Sequence, residues 1–434
     1  MFREQLRSSG LNSDLRALAG VTRVRAWTLT TFAMLALAVT LVHRQILAAL
    51  AATVTSALDI SDVEYGWLSS AFASAYLVGS LPGARLIQKI GPRIGMALTL
   101  GVASVAIGLH SVVTNYPMLF ALRVAIGLSV APAFPCATQT IHRIHPFKDR
   151  ARGIGILYMG NSLGSAVCPP LSVYLAQQYG WRGAFFGVAV AGLLWVPLWV
   201  GSAFTGSAPI ALDGPSITEP LVPIIGAPQQ TRRAGLVRFA RNPSLLRGSL
   251  VVAAAAPVTT VMLLWGTKYL VRDHSIRQDD VGRYLWLPAL LFGSGSMIFG
   301  ELRARSARTR TNVLPPRLLI FIAMIMSASM ALVPLAAQPD TCIGIASIAM
   351  AGAGGLYTLA TSDMLAQAPR GTIPATTGIT TLTQSLVYIA ISPIIGKVVE
   401  HFGNYMWVMM GAGLWVLPGS IFWLVHASLK RAPK

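Results

Sequence analysis

The chain has 434 residues, of which 54% are hydrophobic and only 11% are charged, and its mean hydropathy is +0.61. Soluble globular domains average about 25% charged residues. The composition therefore argues against a soluble enzyme, a disordered protein or a nucleic-acid-binding protein, despite a formal net charge of +19. Cys136, Cys168 and Cys342 lie far apart in apolar stretches, which predicts buried thiols and no metal site. The sequence predicts a polytopic membrane protein.

Apolar stretches of about 20 residues, the length that crosses a bilayer as an α-helix, recur along the whole chain. They predict an all-α fold with twelve transmembrane helices, in two sets of six that are separated by a longer polar interruption. The predicted spans are residues 26–54, 65–87, 94–114, 117–140, 152–177, 181–203, 247–271, 282–302, 317–336, 341–366, 373–398 and 404–428.

Basic residues predict the orientation of these spans, because cytoplasmic loops of membrane proteins are enriched in Lys and Arg. With the N-terminus in the cytoplasm, 26 of the 34 basic residues are cytoplasmic and six lie outside, whereas Arg44 and Arg123 fall within spans. Both termini are therefore expected to be cytoplasmic. The expected segments are an N-terminal cytoplasmic segment (1–25), a first six-helix bundle (26–203), a cytoplasmic linker (204–246), a second six-helix bundle (247–428) and a cytoplasmic tail (429–434).

The linker divides into two parts of different character. Residues 208–229 are rich in proline and sparse in charge, which indicates a loop. Residues 232–247 alternate arginine with leucine and phenylalanine, a pattern typical of an amphipathic helix on an anionic membrane surface. We therefore expect a basic amphipathic helix in the second part of the linker.

The two predicted bundles carry a similar feature at the end of their second helix. Residues 82–93 read PGARLIQKIGPR and residues 299–305 read FGELRAR. In both, a glycine that permits close helix packing is followed by basic residues in a cytoplasmic loop. Transporters that work by alternating access are commonly built from such repeated halves. The expected gating residues are Gly83, Gln88, Lys89, Gly91, Arg93, Gly300 and Arg305.

These segments resemble the cytoplasmic loop motif of the major facilitator superfamily, and the similarity extends over the whole chain. The anion:cation symporter branch, especially its hexuronate and sugar-acid transporters, is the most similar. The stretches that carry this resemblance include VHRQIL (42–47), YGWLSSAF (65–72), GNSLG (160–164), GWRGAF (180–185) and RYLWLP (283–288).

The resemblance implies two pseudo-symmetric six-helix bundles in a bacterial-type plasma membrane, a monomer without cofactor or catalytic residues. It also implies that a small organic anion is transported by alternating access. The acidic residue that anchors the cytoplasmic gate in the family is Gln88 here, and its counterpart in the second half is Ala304. We therefore expect the gate to depend on the remaining basic residues and on helix-end contacts.

Two arginines lie inside predicted spans, where a charged side chain costs at least about 2.5–3.5 kcal/mol. The first six spans contain no Asp or Glu to neutralise Arg44 or Arg123. A guanidinium binds a carboxylate through two parallel hydrogen bonds, and the similar transporters bind sugar acids with arginines at these two positions. The leading hypothesis is an arginine clamp for the substrate carboxylate in a central cavity. The alternative is a structural tie to backbone carbonyls and neighbouring helices.

Other polar residues in the spans are candidates for binding substrate hydroxyls. The resemblance places a cavity tyrosine at Tyr76 and an amide at Asn161, and Tyr357, Gln384 and Tyr388 are candidates in the second half. Each is equally compatible with hydrogen bonding between helices. Lys268, near the outer end of its span, is expected to be a solvated lysine at the membrane surface, and the alternative is a lysine that attracts anions at the mouth of the transporter.

The expected energy coupling departs from that of the similar transporters. Those symporters carry an acid just before the first arginine and another seven residues after the second, and these positions are His43 and Val130 here. Three alternatives remain: His43 accepts the coupling proton, Asp363 contributes, or transport is uncoupled from protons. The sequence slightly favours the third, with Asp363 in a structural ion pair.

Other functional classes are less well supported. An enzyme would need a nucleophile with its base or a metal cluster, and the sequence shows neither. A proton-coupled exporter of drugs or metabolites is the main alternative, although helix 5 lacks the glycine–proline pattern associated with antiporters. A receptor that has a transporter fold but does not transport is the third alternative.

Overall fold

The computed structural model describes residues 22–213, 243–308, 315–366 and 373–426. These residues form helices and short turns, with no strand among them, as the sequence predicted. The helices are α1 (Arg23–Ala49), α2 (Ala51–Ala57), α3 (Asp62–Gly108), α4 (Tyr116–Val130), α5 (Ala133–Ile144), α6 (Phe147–Ala203), α7 (Ala208–Asp213), α8 (Pro243–Thr260), α9 (Gly266–Asp273), α10 (Gly282–Arg308), α11 (Pro316–Ala328), α12 (Pro339–Ala366), α13 (Ile373–Phe402) and α14 (Met406–His426). Residues 214–242, with most of the expected amphipathic helix, lie outside the described part of the chain, as do both termini.

Two long helices are divided by a glycine in a conformation that other residues avoid. Gly91 in α3 has φ 79° and ψ 160°, and Gly180 in α6 has φ 69° and ψ 168°. Such positive φ values are accessible to glycine without steric cost. Both glycines lie between two predicted spans. In the described residues, ten helices are long and apolar enough to cross a membrane, and the count of twelve spans stays a prediction.

Three predicted spans are interrupted within the membrane-crossing length. The first ends its regular helix at Ala49, because Leu50 leaves helical geometry with ψ 17°. The fourth is divided between α4 and α5 just before Pro132, whose ring removes a backbone donor. The seventh contains a π-helical turn at Val261–Trp265, a feature that is frequent at functional sites.

The structure divides into two compact units, and the two expected six-helix bundles stay a prediction. One unit comprises Met1–Ile46 and Ser74–Glu219, and the other comprises Leu47–Ala73 and Pro220–Lys434. Segment Leu47–Ala73 precedes the linker in sequence but packs with the residues that follow it. The first unit has an apolar core that includes Leu29, Met96, Cys136, Trp195 and Trp199, and all three cysteines are free and buried, as the sequence predicted.

In the second unit, helices α10 and α12 approach so closely that only glycine fits between them. A Cβ atom added at Gly354 would lie 2.1 Å from the carbonyl oxygen of Phe292, and one at Gly295 would lie 2.1 Å from that of Ala351. Real Cβ contacts do not reach such distances. The crossing therefore depends on close backbone approach, a common feature of helix pairs in membranes.

We expect Gly354→Ala to destabilise the second unit, because the added methyl group forces two backbones apart. The expected loss is about 1–3 kcal/mol of unfolding free energy, the typical effect of overpacking. Gly344→Ala in the same helix is the matched control, since a Cβ there meets no atom within 4 Å, and it is expected to be neutral or stabilising. Thermal unfolding in detergent measures both, and equal midpoints for the two variants would contradict the proposed crossing.

Candidate functional site

The first unit brings Arg44 and Tyr76 together. Arg44 lies on α1 and Tyr76 on α3, and the guanidinium carbon is 5.7 Å from the centre of the tyrosine ring. A cation at this distance is attracted to the face of the ring. Both side chains are partly buried. The pair thus combines a planar cation with a phenol, groups that suit a carboxylate and a hydroxyl respectively.

Helix α6 packs against α1, the helix that carries Arg44. A Cβ at Gly160 would lie 2.4 Å from the carbonyl oxygen of Met34, and one at Gly164 would lie 2.4 Å from that of Ala38. The two glycines therefore hold α6 directly against the backbone of α1. Asn161 lies between them on α6 and is partly buried.

Arg123 is buried and has a partner that the sequence did not indicate. It is 3% exposed, and its Nε and Nη2 atoms lie 3.4 and 3.3 Å from Nε2 of His110. Nδ1 of His110 is 2.8 Å from the carbonyl oxygen of Ala106. A neutral imidazole satisfies both contacts, since Nδ1–H donates to the carbonyl and Nε2 accepts from the guanidinium. This geometry fits the structural alternative for Arg123, and substrate binding by this residue stays a prediction.

His43 is fully buried, although it is adjacent in sequence to Arg44. A Cβ at Gly192 in α6 would come within 3.0 Å of the His43 ring and 2.2 Å of the hydroxyl of Ser104. The absence of a side chain at Gly192 therefore makes room for both polar groups. Neither Ser104 nor Gly192 was identified from the sequence, because a serine and a glycine in apolar helices carry no distinctive pattern.

Asp363, the second coupling candidate, forms an ion pair in the second unit. Its Oδ2 atom accepts from Nη2 of Arg247 at 2.7 Å and from the indole N–H of Trp423 at 3.2 Å. The Arg247 guanidinium also lies 5.1 Å from the centre of the Trp423 ring. This is the structural pair that the sequence analysis favoured for Asp363, with its partners now identified.

Gln384 belongs to a row of hydrogen-bonded side chains in the second unit. Its amide donates to the hydroxyl of Tyr388 at 2.9 Å, and that hydroxyl lies 2.8 Å from Oγ1 of Thr259 in α8. Tyr357 is buried in α12 and packs edge-to-face against Phe292 at 5.8 Å. Of these hydrogen-bonded side chains, Thr259 is the one that the sequence analysis missed.

The expectation of a solvated Lys268 is wrong. Lys268 is 7% exposed and forms an ion pair with Asp62, which is 5% exposed. Its Nζ atom also lies 5.0 Å from the ring centre of Tyr65 and 5.9 Å from that of Trp265. The lysine is buried because a carboxylate more than 200 residues away and two aromatic rings cover it.

The loop between the two halves of α3 is held by a residue of the linker. Arg93 forms an ion pair of 2.5 Å with Asp213 in α7, and its guanidinium lies 4.3 Å from the ring centre of Phe204. A Cβ at Gly91 would lie 2.7 Å from Oδ1 of Asp213. Asp213 thus supplies a carboxylate beside the motif, in which Gln88 stands at the acidic position.

The remaining gating residues lie in less demanding surroundings. A Cβ at Gly83 would meet the ring of Pro132 at 2.7 Å, so this glycine permits close packing. Gln88 and Lys89 are exposed. In the second unit, Arg305 pairs with Glu301 at 2.7 Å on the exposed face of α10, and a Cβ at Gly300 would be 3.3 Å from Thr358.

Comparison with known proteins decides the family. Residues 28–389 match the profile described as Major Facilitator Superfamily. The chain belongs to the major facilitator superfamily. Its fold is also shared by a superfamily structure of low sequence similarity, a bacterial homologue of the human lysosomal transporter Spinster, with a TM-score of 0.76, 17% identity and coverage of 93% of this chain and 97% of the other.

Curated proteins similar to this chain include two that are named as sugar-acid transporters. The chain is 24% identical over 381 residues to the "Probable galactarate/D-glucarate transporter GudP" of Bacillus subtilis (strain 168), with 82% of each chain covered. It is 21% identical over 379 residues to the "Hexuronate transporter" of Escherichia coli (strain K12), covering 83% of this chain and 84% of the relative. The resemblance stated from the sequence is thereby confirmed. The protein is a multi-pass membrane transporter of this superfamily and not an enzyme.

Proposed function

We propose that the protein carries a small organic anion, a sugar acid or a related carboxylate, across the membrane by alternating access. The chain would cross the bilayer twelve times with both termini in the cytoplasm. The observation that carries the proposal is the packing of Arg44 against Tyr76 inside the first unit. The names of the curated relatives support the same substrate class.

Arg44 is proposed as the main carboxylate-binding residue. It lies on α1, within a set of six predicted spans that contain no Asp or Glu. Its planar guanidinium can donate two parallel hydrogen bonds to one carboxylate, and Tyr76 restrains it by a cation–π contact. Arg123 is the proposed second arm of the clamp. Its contact with His110 keeps this buried cation in the first unit, where it adds to the positive potential that attracts an anion.

Substrate hydroxyls require neutral polar partners. Tyr76 and Asn161 in the first unit are proposed for this role, together with Gln384 and Tyr357 in the second. Gln384 and Tyr388 already form hydrogen bonds in a row with Thr259. A substrate hydroxyl could replace one of these three side chains as a hydrogen-bond partner at little cost. A site whose polar groups form hydrogen bonds to substrate hydroxyls discriminates strongly against analogues that lack those hydroxyls.

The substrate class is tested by thermal stabilisation of the purified protein. A ligand that binds the folded state stabilises it by about 2.7 kcal/mol at 100 times its Kd. We expect sugar acids such as D-glucarate and galacturonate to raise the unfolding midpoint, while the uncharged sugar galactose does not. A carboxylate site would be contradicted if galactose raised the unfolding midpoint as much as galacturonate does. It would also be contradicted if neither compound raised it.

For energy coupling we propose facilitated diffusion or anion exchange. His43 and Val130 stand at the two positions where the similar symporters carry acids. His43 is buried in the first unit, and Asp363 forms an ion pair with Arg247. An uncoupled anion also responds to membrane voltage, since each charge is worth about 2.3 kcal/mol per 100 mV. An inside-negative potential would then drive the anion out of the cell.

We expect an imposed pH gradient to drive little uphill accumulation of labelled D-glucarate in proteoliposomes, while unlabelled substrate on the opposite side accelerates exchange. His43→Gln is the diagnostic variant, because it removes the titratable ring and keeps a polar side chain. If His43 relays protons instead, this change abolishes pH-driven uptake and spares exchange. Strong pH-driven accumulation that survives the substitution would contradict both schemes.

A further inference from the structure

A cluster of three charges, of which Asp62 and Lys268 are buried, lies in the second unit and does not include Arg44. Asp62 opens α3, whereas Lys268 and Arg272 lie on α9. Counting side-chain atoms alone, Asp62 is 4% exposed, Lys268 is 8% exposed and Arg272 is 40% exposed. Oδ1 of Asp62 contacts Nζ of Lys268, and Oδ2 lies 2.6 Å from Nη1 of Arg272. Each carboxylate oxygen therefore has its own cation.

Lys268 is held in place by groups other than Asp62. The Tyr65 ring stands edge-to-face on Trp265 at 4.9 Å, and both rings face the ammonium group of Lys268. The Tyr65 hydroxyl donates to the carbonyl oxygen of Leu264 at 2.6 Å, which fixes the ring next to α9. These contacts position Lys268 as part of a carboxylate-binding arrangement, in which Asp62 is the bound carboxylate.

Asp62 belongs to segment Leu47–Ala73, which precedes the linker in sequence and packs within the second unit. A Cβ at Gly66 would be 2.5 Å from the carbonyl oxygen of Ser392, and one at Gly396 would be 2.4 Å from that of Asp62. The Ser70 hydroxyl donates to the carbonyl of Ile389 at 2.8 Å. The segment therefore packs closely within the second unit. Because its two ends continue into the first unit at Ile46 and Ser74, a movement of the halves would carry it away from α9.

Alternating access, on which this inference rests, requires the halves of a transporter to move apart in each cycle. When segment Leu47–Ala73 withdraws, Asp62 leaves Lys268 and Arg272 without their carboxylate. Removing one member of a buried ion pair is strongly unfavourable. Two other acids, Glu400 and Asp273, interact with these cations, and each already accepts a hydrogen bond from the backbone, Glu400 from the N–H of Val63 at 2.8 Å and Asp273 from the N–H of Tyr405 at 2.9 Å. The cations therefore favour an anion from solution.

We propose that Lys268 and Arg272 form an outer binding site for the substrate carboxylate, and that Asp62 occupies this site when the segment is docked. Substrate and Asp62 then exchange at the same two cations. The outer site captures the anion, and the return of Asp62 displaces it. The site selects for a carboxylate by the same chemistry that binds Asp62.

Opposite substitutions test this inference, with the external KM for labelled D-glucarate measured in intact cells. Asp62→Asn removes the competing carboxylate, so we expect KM to fall about threefold or more. Lys268→Gln removes a binding cation, so KM should rise about tenfold or more, the size of effect expected for one hydrogen bond to a charged group. If the ion pair only held the segment in its docked position, both substitutions would shift KM in the same direction, because either one breaks the pair.

Two controls separate these effects from folding and surface charge. The double variant Asp62→Asn with Lys268→Gln leaves no unpaired charge between the two positions, and its KM is expected to stay above the wild-type value. Asp279→Asn removes a carboxylate from an exposed ion pair with Arg277 and should leave KM unchanged. Shifts of KM in one direction for both single variants would overturn the outer site alone. Absence of D-glucarate transport by the wild type would overturn it together with the proposed function.

Discussion

Arg44→Ala is expected to lower the rate of carboxylate transport by about 100-fold or more. The substitution removes two hydrogen bonds to a charged group, each worth about 1.5–3 kcal/mol, and every 1.4 kcal/mol corresponds to a tenfold change. Arg44→Lys keeps the charge but loses the planar fork, so it should restore only a small part of the rate. Initial rates of labelled D-glucarate uptake into proteoliposomes measure both variants.

Arg182→Ala is the matched control for the loss of an arginine in the first unit. Arg182 donates to the carbonyl oxygen of Val113 at 3.0 Å and covers the ring of Trp181 at 4.1 Å, which is a structural role. We expect this variant to unfold at a lower temperature with an unchanged KM. Near wild-type uptake by Arg44→Ala, with normal insertion in the membrane, would show that Arg44 does not bind the substrate.

Asp213→Asn is expected to have the second large effect, through the ion pair with Arg93. The pair is largely shielded, since the side chains are 20% and 32% exposed, and a charge-assisted hydrogen bond of this kind contributes about 1.5–3 kcal/mol. Because Gln88 has no charge, Asp213 is the carboxylate that stabilises this loop. We expect a lower thermal unfolding midpoint and a transport rate reduced by about tenfold.

The exposed pair in the second unit provides the control for this prediction. Glu301→Gln breaks its contact with Arg305, whose side chain is 73% exposed, and exposed pairs of this spacing contribute only about 0.3–0.5 kcal/mol. Exchange of the charges, with Arg93→Asp and Asp213→Arg in one chain, should recover part of the lost stability. If Asp213→Asn and Glu301→Gln have equally small effects, Asp213 does not anchor the loop.

The fold was largely predictable because hydrophobicity and charge are strong signals in a membrane protein. Apolar runs gave the positions of the helices, and both unusual backbone conformations, at Gly91 and Gly180, lie between predicted spans. The interruption at Leu50 was not predictable, because the apolar run continues through it. Its position depends on the packing of segment Leu47–Ala73 in the second unit.

The candidate site was predictable only in part. Arg44 and Tyr76 are recognisable because a charge inside a span is rare and because the family resemblance marks the tyrosine. His110 was missed as the partner of Arg123, since a single histidine in an apolar helix carries no positional signal. Lys268 was misjudged because its partner, Asp62, is distant in sequence. The role of Asp213 was hidden because the start of the linker was interpreted as a loop.

Counterflow of labelled D-glucarate in proteoliposomes tests the central claim most directly, since it requires a carrier but neither a pH gradient nor a voltage. Vesicles are loaded with unlabelled D-glucarate and diluted into labelled D-glucarate. We predict a transient accumulation of label above equilibrium that is prevented by Arg44→Ala and retained by Arg182→Ala. Vesicles with correctly inserted wild-type protein that show no accumulation with D-glucarate or galacturonate would contradict the account.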